Sequence, residues 1–99
     1  MNLGEAIKDL RQRRGMKQRD LAIKTELTAP YLSQVEHGQK TPSLDAVDTI
    51  ARALEVPSPV LWFMAMERGD VSESKRALYD QLAPAMKAMI VSLFDPKAK

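Results

Sequence analysis

The chain has 99 residues, 15 Lys and Arg against 13 Asp and Glu (net +2), no cysteine, one histidine, 44% hydrophobic residues and 28% charged ones. That is one small domain of ordinary globular composition, so neither a disordered tail nor a disulfide framework explains it. A thiolate or all-imidazole metal site lacks its ligands, and the longest apolar run, Val60 to Met66, falls far short of the roughly 20 residues that cross a bilayer.

Leu3, Ala6, Ile7 and Leu10 recur at the spacing of one helix face, and Arg14-Gly15 ends the segment with glycine where a helix C-terminus favours it. A first helix is expected over about residues 2 to 14. Gln18 to Thr25 suits a short second helix with Leu21 and Ala22 on its buried side, interrupted at Glu26-Leu27. Thr28 is a good N-cap, followed by Pro30 in a first turn where a missing N–H costs nothing, so a third helix starts there and stops at Gly38. It buries Leu32 and Val35. Ala29, Pro30, Ser33, Gln34 and His37 are left on other faces, with no core role.

Gln39 to Pro42 reads as a loop, after which Ser43 caps a helix with Leu44, Val47, Ile50, Ala51 and Leu54 as its apolar set. Pro57-Ser58-Pro59 breaks the chain, with Ser58 as cap, and the helix that follows is apolar on all sides until Gly69-Asp70 ends it. Such a helix must be covered on more than one side, and the remaining chain is the evident cover. Ser72 or Ser74 can cap a last segment with Leu78, Leu82, Met86, Met89, Ile90 and Leu93 along one stripe. An interior proline costs about 3 kcal/mol, so Pro84 implies a kink or a new helix starting near it. No strand pattern is present, and the fold class is all-α.

The small net charge averages over three unlike segments. Residues 1–40 carry eight Lys and Arg against five Asp and Glu (+3), residues 41–70 two against five (−3), and residues 71–99 five against three (+2). Any single charge reads best as part of a solvated face. Only a constellation overturns that.

The constellation is Gln18 to Glu36, followed by His37-Gly38, which has the pattern of a helix-turn-helix. Leu21, Ala22, Leu27, Leu32 and Val35 form the joint nucleus, and Ala22 is small enough for two helices to cross closely. The outer face of the second helix then stays free to lie in a DNA major groove while the first crosses the phosphate backbone. Here the sequence resembles the phage repressor and Cro-like helix-turn-helix proteins, the XRE family. The resemblance covers about residues 3 to 64: Leu3-Gly4-Glu5-Ala6-Ile7 with Leu10-Arg11, then Tyr31 to Gly38, then Pro42-Ser43 leading to Ile50-Ala51-Arg52-Ala53-Leu54. It implies a five-helix lambda-repressor-like DNA-binding domain over residues 1–69, leaving 70–99 as a helical extension. One departure is Glu26, where the family usually has glycine. A left-handed conformation there costs a non-glycine residue about 1 kcal/mol, so the turn is either strained or differently shaped.

The resemblance places Ala29, Pro30, Ser33 and Gln34 towards base edges, with Thr28 and Tyr31 near the groove rim. Gln34 can pair bidentately with adenine, Ser33 can donate or accept, and Ala29 or Pro30 can press on a thymine methyl group. Gln18 resembles a position that donates to a phosphate beside exposed helix N–H groups, and Arg14, Lys17, Lys40 and Thr41 flank the same edge. Arg11 and Glu36 match positions that form an ion pair between the first and third helices. His37 reads as an exposed cap residue rather than a ligand or pH sensor.

The function expected is a sequence-specific DNA-binding regulator, a repressor acting as a homodimer on a palindromic site, since one short helix reads few base pairs. Trp62, Phe63, Met66, Leu82, Met86, Met89, Ile90 and Leu93 are the expected dimer or partner contacts. Met64 joins these aromatic and methionine residues as core or dimer material rather than a small-molecule pocket. The alternative, from another class, is an antitoxin-type protein whose residues 71–99 bind a second protein such as a toxin. An enzyme is not expected: no nucleophile and base spacing, phosphate-cradling loop or metal cluster is present, and no cofactor is implied. Met1 to Arg14 lacks the apolar stretch of a secretory signal, so a cytoplasmic location is expected.

Overall fold

The computed structural model describes residues 1–94. Among these residues six helices follow one another: α1 (Leu3–Arg13), α2 (Gln18–Thr25), α3 (Ala29–Glu36), α4 (Leu44–Ala53), α5 (Ser58–Ala65) and α6 (Arg76–Phe94). Two short 3-10 turns, Arg68–Asp70 and Glu73–Lys75, link the last pair. No strand occurs among the described residues, and none of their helices is long and apolar enough to cross a membrane.

Local chemistry explains the helix starts. The Asn2 side chain accepts from Glu5 N–H at 3.0 Å, Thr28 Oγ1 from Tyr31 N–H at 3.1 Å, and Ser43 Oγ from Ala46 N–H at 3.1 Å. At α2 the Asp20 carboxylate reaches back to Lys17 N–H at 2.8 Å. The core then assembles from one face of each of the first five helices: Ile7, Leu21, Leu32, Val35, Val47, Ile50, Leu54 and Leu61 are fully enclosed. Helix α5 packs on both α1 and α4, so the preceding helices, more than the chain after residue 70, cover it.

Several expectations change. Leu44 is 72% exposed, on the outer side of the first turn of α4; Ala46 and Val47 on its inner side and, beyond the helix, Val56 are buried. Helix α5 begins at Ser58, with Pro57 rather than Ser58 in the cap position, and it ends at Ala65, before Gly69. Helix α6 runs through Pro84 as one helix instead of restarting there. Its apolar stripe faces outwards: Leu78, Leu82, Met86, Met89 and Leu93 are 40 to 68% exposed. Ala83 and Ile90, on the flank of the stripe, are the residues α6 buries.

Among the described residues two that are not glycine adopt a left-handed backbone, Glu26 (φ 59°) and Glu55 (φ 60°). The first settles the turn question: Glu26 takes the conformation glycine would supply, with its strain. The second ends α4, and its carboxylate is ion-paired to Arg14. Near the amino end, the Met1 amino group hydrogen-bonds Asp70, and the Glu67 backbone N–H adds a second bond; together they hold the Asp70 carboxyl below its ordinary range.

Candidate nucleic-acid interface

Helices α2 and α3 meet through Leu21 on one and Leu32 and Val35 on the other, all buried. Between them Thr25 is also buried; its hydroxyl donates to the Leu21 carbonyl at 2.7 Å and accepts from Leu27 N–H at 3.3 Å, which ties the turn to the end of α2. Nothing in the spacing marked Thr25 for this role, because a threonine that closes a turn resembles one that merely ends a helix.

The angle between α1 and α3 is set by two features. Gly4 sits so close to α3 that a Cβ there would lie 2.3 Å from the Val35 carbonyl oxygen. On the same seam, Arg11 Nε and Nη2 donate to the two oxygens of Glu36 at 2.8 and 2.9 Å, and Nη1 donates to the Met16 carbonyl at 2.7 Å. Both side chains are nearly enclosed, at 10% and 2% exposure. The expected ion pair is therefore present, as a bidentate fork that also holds the loop before α2.

Gln18 joins this network. Its Nε2 donates to Glu36 Oε1 at 3.1 Å, so the first residue of α2 is fixed against the last residue of α3. A carboxamide nitrogen carries two hydrogens, which leaves one donor free beside the unbonded N–H groups of the helix start. Lys17 is exposed next to it. On α3, Pro30 and Gln34 are exposed while Ala29 and Ser33 are half-buried, and the four share one face; Thr28 is exposed at the cap. Lys40 stands with its ammonium 5.6 Å from the centre of the Tyr31 ring, a cation–π contact that brings the loop after α3 to the same edge, where Thr41 is also exposed.

Arg14 is engaged elsewhere. Its guanidinium pairs with Glu55 and donates to the Phe94 carbonyl at 2.7 Å, with only 17% of the side chain exposed. His37 caps α3, exposed, with Nδ1 2.7 Å from the Ser33 carbonyl oxygen, in keeping with the cap reading. Among the described residues, no group of three or more His, Cys, Asp and Glu could hold a metal ion.

A family model described as a helix-turn-helix domain matches residues 2–61, which takes in α1 to α4 and the first half of α5. The chain belongs to the helix-turn-helix domain family. This helix-turn-helix chain is 35% identical over 82 residues to an uncharacterized HTH-type transcriptional regulator of Mycobacterium tuberculosis, covering 81% of this chain and 59% of that one. It thus spans about three fifths of the length of that curated relative. Among solved structures, the restriction-modification controller protein C.AhdI of Aeromonas hydrophila aligns with a TM-score of 0.59 at 32% identity, over 61% of this chain and 91% of its own. The clp gene regulator ClgR of Corynebacterium glutamicum aligns with a TM-score of 0.63 at 25% identity, over 97% of this chain and 93% of its own. That second alignment extends past the helix-turn-helix and takes in α6.

Of the expected dimer or partner residues, Leu82, Met86, Met89 and Leu93 are exposed, joined by Leu78. Trp62 packs partly buried against the core, Phe63 is half-buried in an apolar groove shared with Leu78 and Leu82, and the Met66 carbonyl accepts from the Tyr79 hydroxyl at 2.9 Å. Ile90 is a correction. It is 8% exposed and lies inward beside Leu10 and Phe94, so it is core rather than surface.

Proposed function

We propose that the chain is a sequence-specific DNA-binding transcriptional repressor that acts as a homodimer on a palindromic operator. The observation that carries this reading is the outer face of α3. Pro30 and Gln34 are exposed beside Ser33 on a helix whose inner residues are fully buried, and α2 is locked to its end through Gln18 and Glu36. Thr28, Ala29, Pro30, Ser33 and Gln34 face base edges, and Gln34 supplies the sharpest readout through its two-pronged carboxamide. Lys17, Gln18, Tyr31, Lys40 and Thr41 flank the groove at the phosphates. Relatives with regulator names, and the controller-protein structures, support the same reading.

The homodimer rests on α6. Residues from 70 onwards serve as a dimerisation segment, with Leu78, Leu82, Met86, Met89 and Leu93 as the contact, and two-fold symmetry sets two α3 helices about 34 Å apart on one face of DNA. A toxin-like protein on the same apolar face is the competing reading. A chain that is monomeric alone, yet still selects a DNA sequence and co-purifies with one defined protein, favours it.

Selection of bound duplexes from a random library tests the function. An inverted repeat with half-sites about one helical turn apart is the expected outcome. A library left unenriched after several rounds overturns the reading.

A further inference from the structure

Helix α6 is pinned to the rest of the chain near both ends. Tyr79 donates to the Met66 carbonyl and Arg68 pairs with Asp80 at one end, and Arg14 holds the Phe94 carbonyl at the other. Between these pins α6 meets α1 at Ile90, beside Leu10, and otherwise stands off it. The space left is an open cleft of about 730 Å³, within the range of roughly 300 to 1,000 Å³ typical of small-molecule sites.

The cleft has one wall of each kind. Helix α1 contributes Glu5 and Asp9, one turn apart, and Arg13; α6 contributes Lys87 and Val91; Met64 and Met66 at the end of α5 close it, with Glu67 beyond them. Asp9 is committed to Arg13, whose Nε lies 3.1 and 3.2 Å from its two oxygens. The Glu5 carboxylate and the Lys87 ammonium have no hydrogen-bond or ion-pair partner among the described residues. Lys87 is moreover half-buried. A carboxylate in the cleft would give the Lys87 ammonium the anion it lacks among the described residues.

We propose that the cleft between α1 and α6 is a binding site for a small zwitterion with an apolar body, the class of the free apolar amino acids. Its carboxylate meets Lys87, its ammonium meets Glu5, and its side chain lies against Met64, Met66 and Val91. The unpaired Glu5 carboxylate disfavours a phosphate or polyanion, and Lys87 disfavours a simple cation. The methionines at the end of α5, read from sequence as core or dimer material, line this wall. Because such a ligand bridges α1 to the middle of α6, it fixes the helix that the proposed dimer uses. That consequence rests on the DNA-binding reading; the binding itself does not.

Calorimetric titration of the full chain with L-leucine, L-methionine and L-phenylalanine, each to about 10 mM, tests the site at the weak end of specific affinity. Saturable binding is expected for at least one of them. Lys87→Gln and Glu5→Gln, each shown to be folded by circular dichroism, should weaken it about tenfold, the loss of one charge-assisted contact. N-acetyl-L-leucine and L-leucinamide, each lacking one charge, should weaken it likewise. Absence of saturable binding by all three amino acids overturns the proposal, as does binding that is unchanged in both variants.

Discussion

Arg11 and Glu36 stand 25 positions apart in the chain and form a two-bond fork at 2.8 and 2.9 Å across the seam between α1 and α3. With both side chains largely withdrawn from solvent, removing one leaves the other as an uncompensated charge. Glu36→Ala is therefore expected to lower folding stability by about 3 to 5 kcal/mol, measured by urea denaturation. A loss below about 1 kcal/mol means that the Met16 carbonyl and water satisfy Arg11 on their own.

Much of this seam was legible in the sequence, since the Arg11 and Glu36 pairing, the Thr28 cap and the bounds of α2 depend on short-range patterns and a family motif. Arg14 was not. It sits in a basic run beside the segment proposed to face DNA, which suggests a phosphate contact, yet its partners are 41 and 80 residues away. The α6 stripe was legible except for Ile90, which is buried. Periodicity shows that a helix has an apolar face but not which way the face turns, and here the small Ala83 with Ile90 makes the internal contact while the larger residues point out. Glu55 carried no signal either, because only glycine or asparagine advertises a left-handed position in a sequence.

Gln34→Ala separates base reading from general affinity. The residue is exposed, so the fold should be unaffected, and binding to the selected site should weaken by about 1 to 3 kcal/mol with little change on random DNA. Lys17→Ala should instead weaken all sequences alike and reduce the salt dependence by about one phosphate equivalent. Titrations by fluorescence anisotropy at several salt concentrations check both. Equal losses for Gln34→Ala on the two kinds of DNA remove it from the base-reading set.

The two left-handed glutamates should respond differently to glycine. Glu26 has no ion pair or side-chain hydrogen bond among the described residues, so Glu26→Gly should relieve backbone strain and raise stability by up to about 1 kcal/mol after the added freedom of the unfolded chain is counted. Glu55→Gly relieves the same strain but takes the carboxylate from Arg14. Its melting temperature should fall below that of Glu26→Gly. The reverse order means that the Arg14 pair contributes nothing measurable.

Gly4→Ala adds a single methyl group where the Val35 carbonyl lies 2.3 Å from the added carbon and the Glu36 carbonyl oxygen 2.9 Å away. Both obstacles are backbone and cannot rotate aside, so α1 must move away from α3. A loss of about 1 to 3 kcal/mol is expected in thermal or chemical unfolding. Because the displaced seam also holds Arg11 against Glu36 and Gln18, DNA affinity should fall at temperatures where the variant is still fully folded.

Five apolar side chains standing in water along one side of α6 are unusual for a monomer and typical of a surface that another molecule covers. In the proposed dimer, Leu82→Glu and Met89→Glu place charges in the contact without touching the core, since both residues are at least 46% exposed in the single chain. Sedimentation equilibrium should show a dimer for the unmodified chain and a monomer for the double variant, with helix content unchanged by circular dichroism. Operator affinity should then fall steeply, because each α3 must find its half-site alone, while binding to an isolated half-site is retained. An unmodified chain that sediments as a monomer at micromolar concentration, with and without DNA, overturns the dimer and assigns the stripe to a different protein partner.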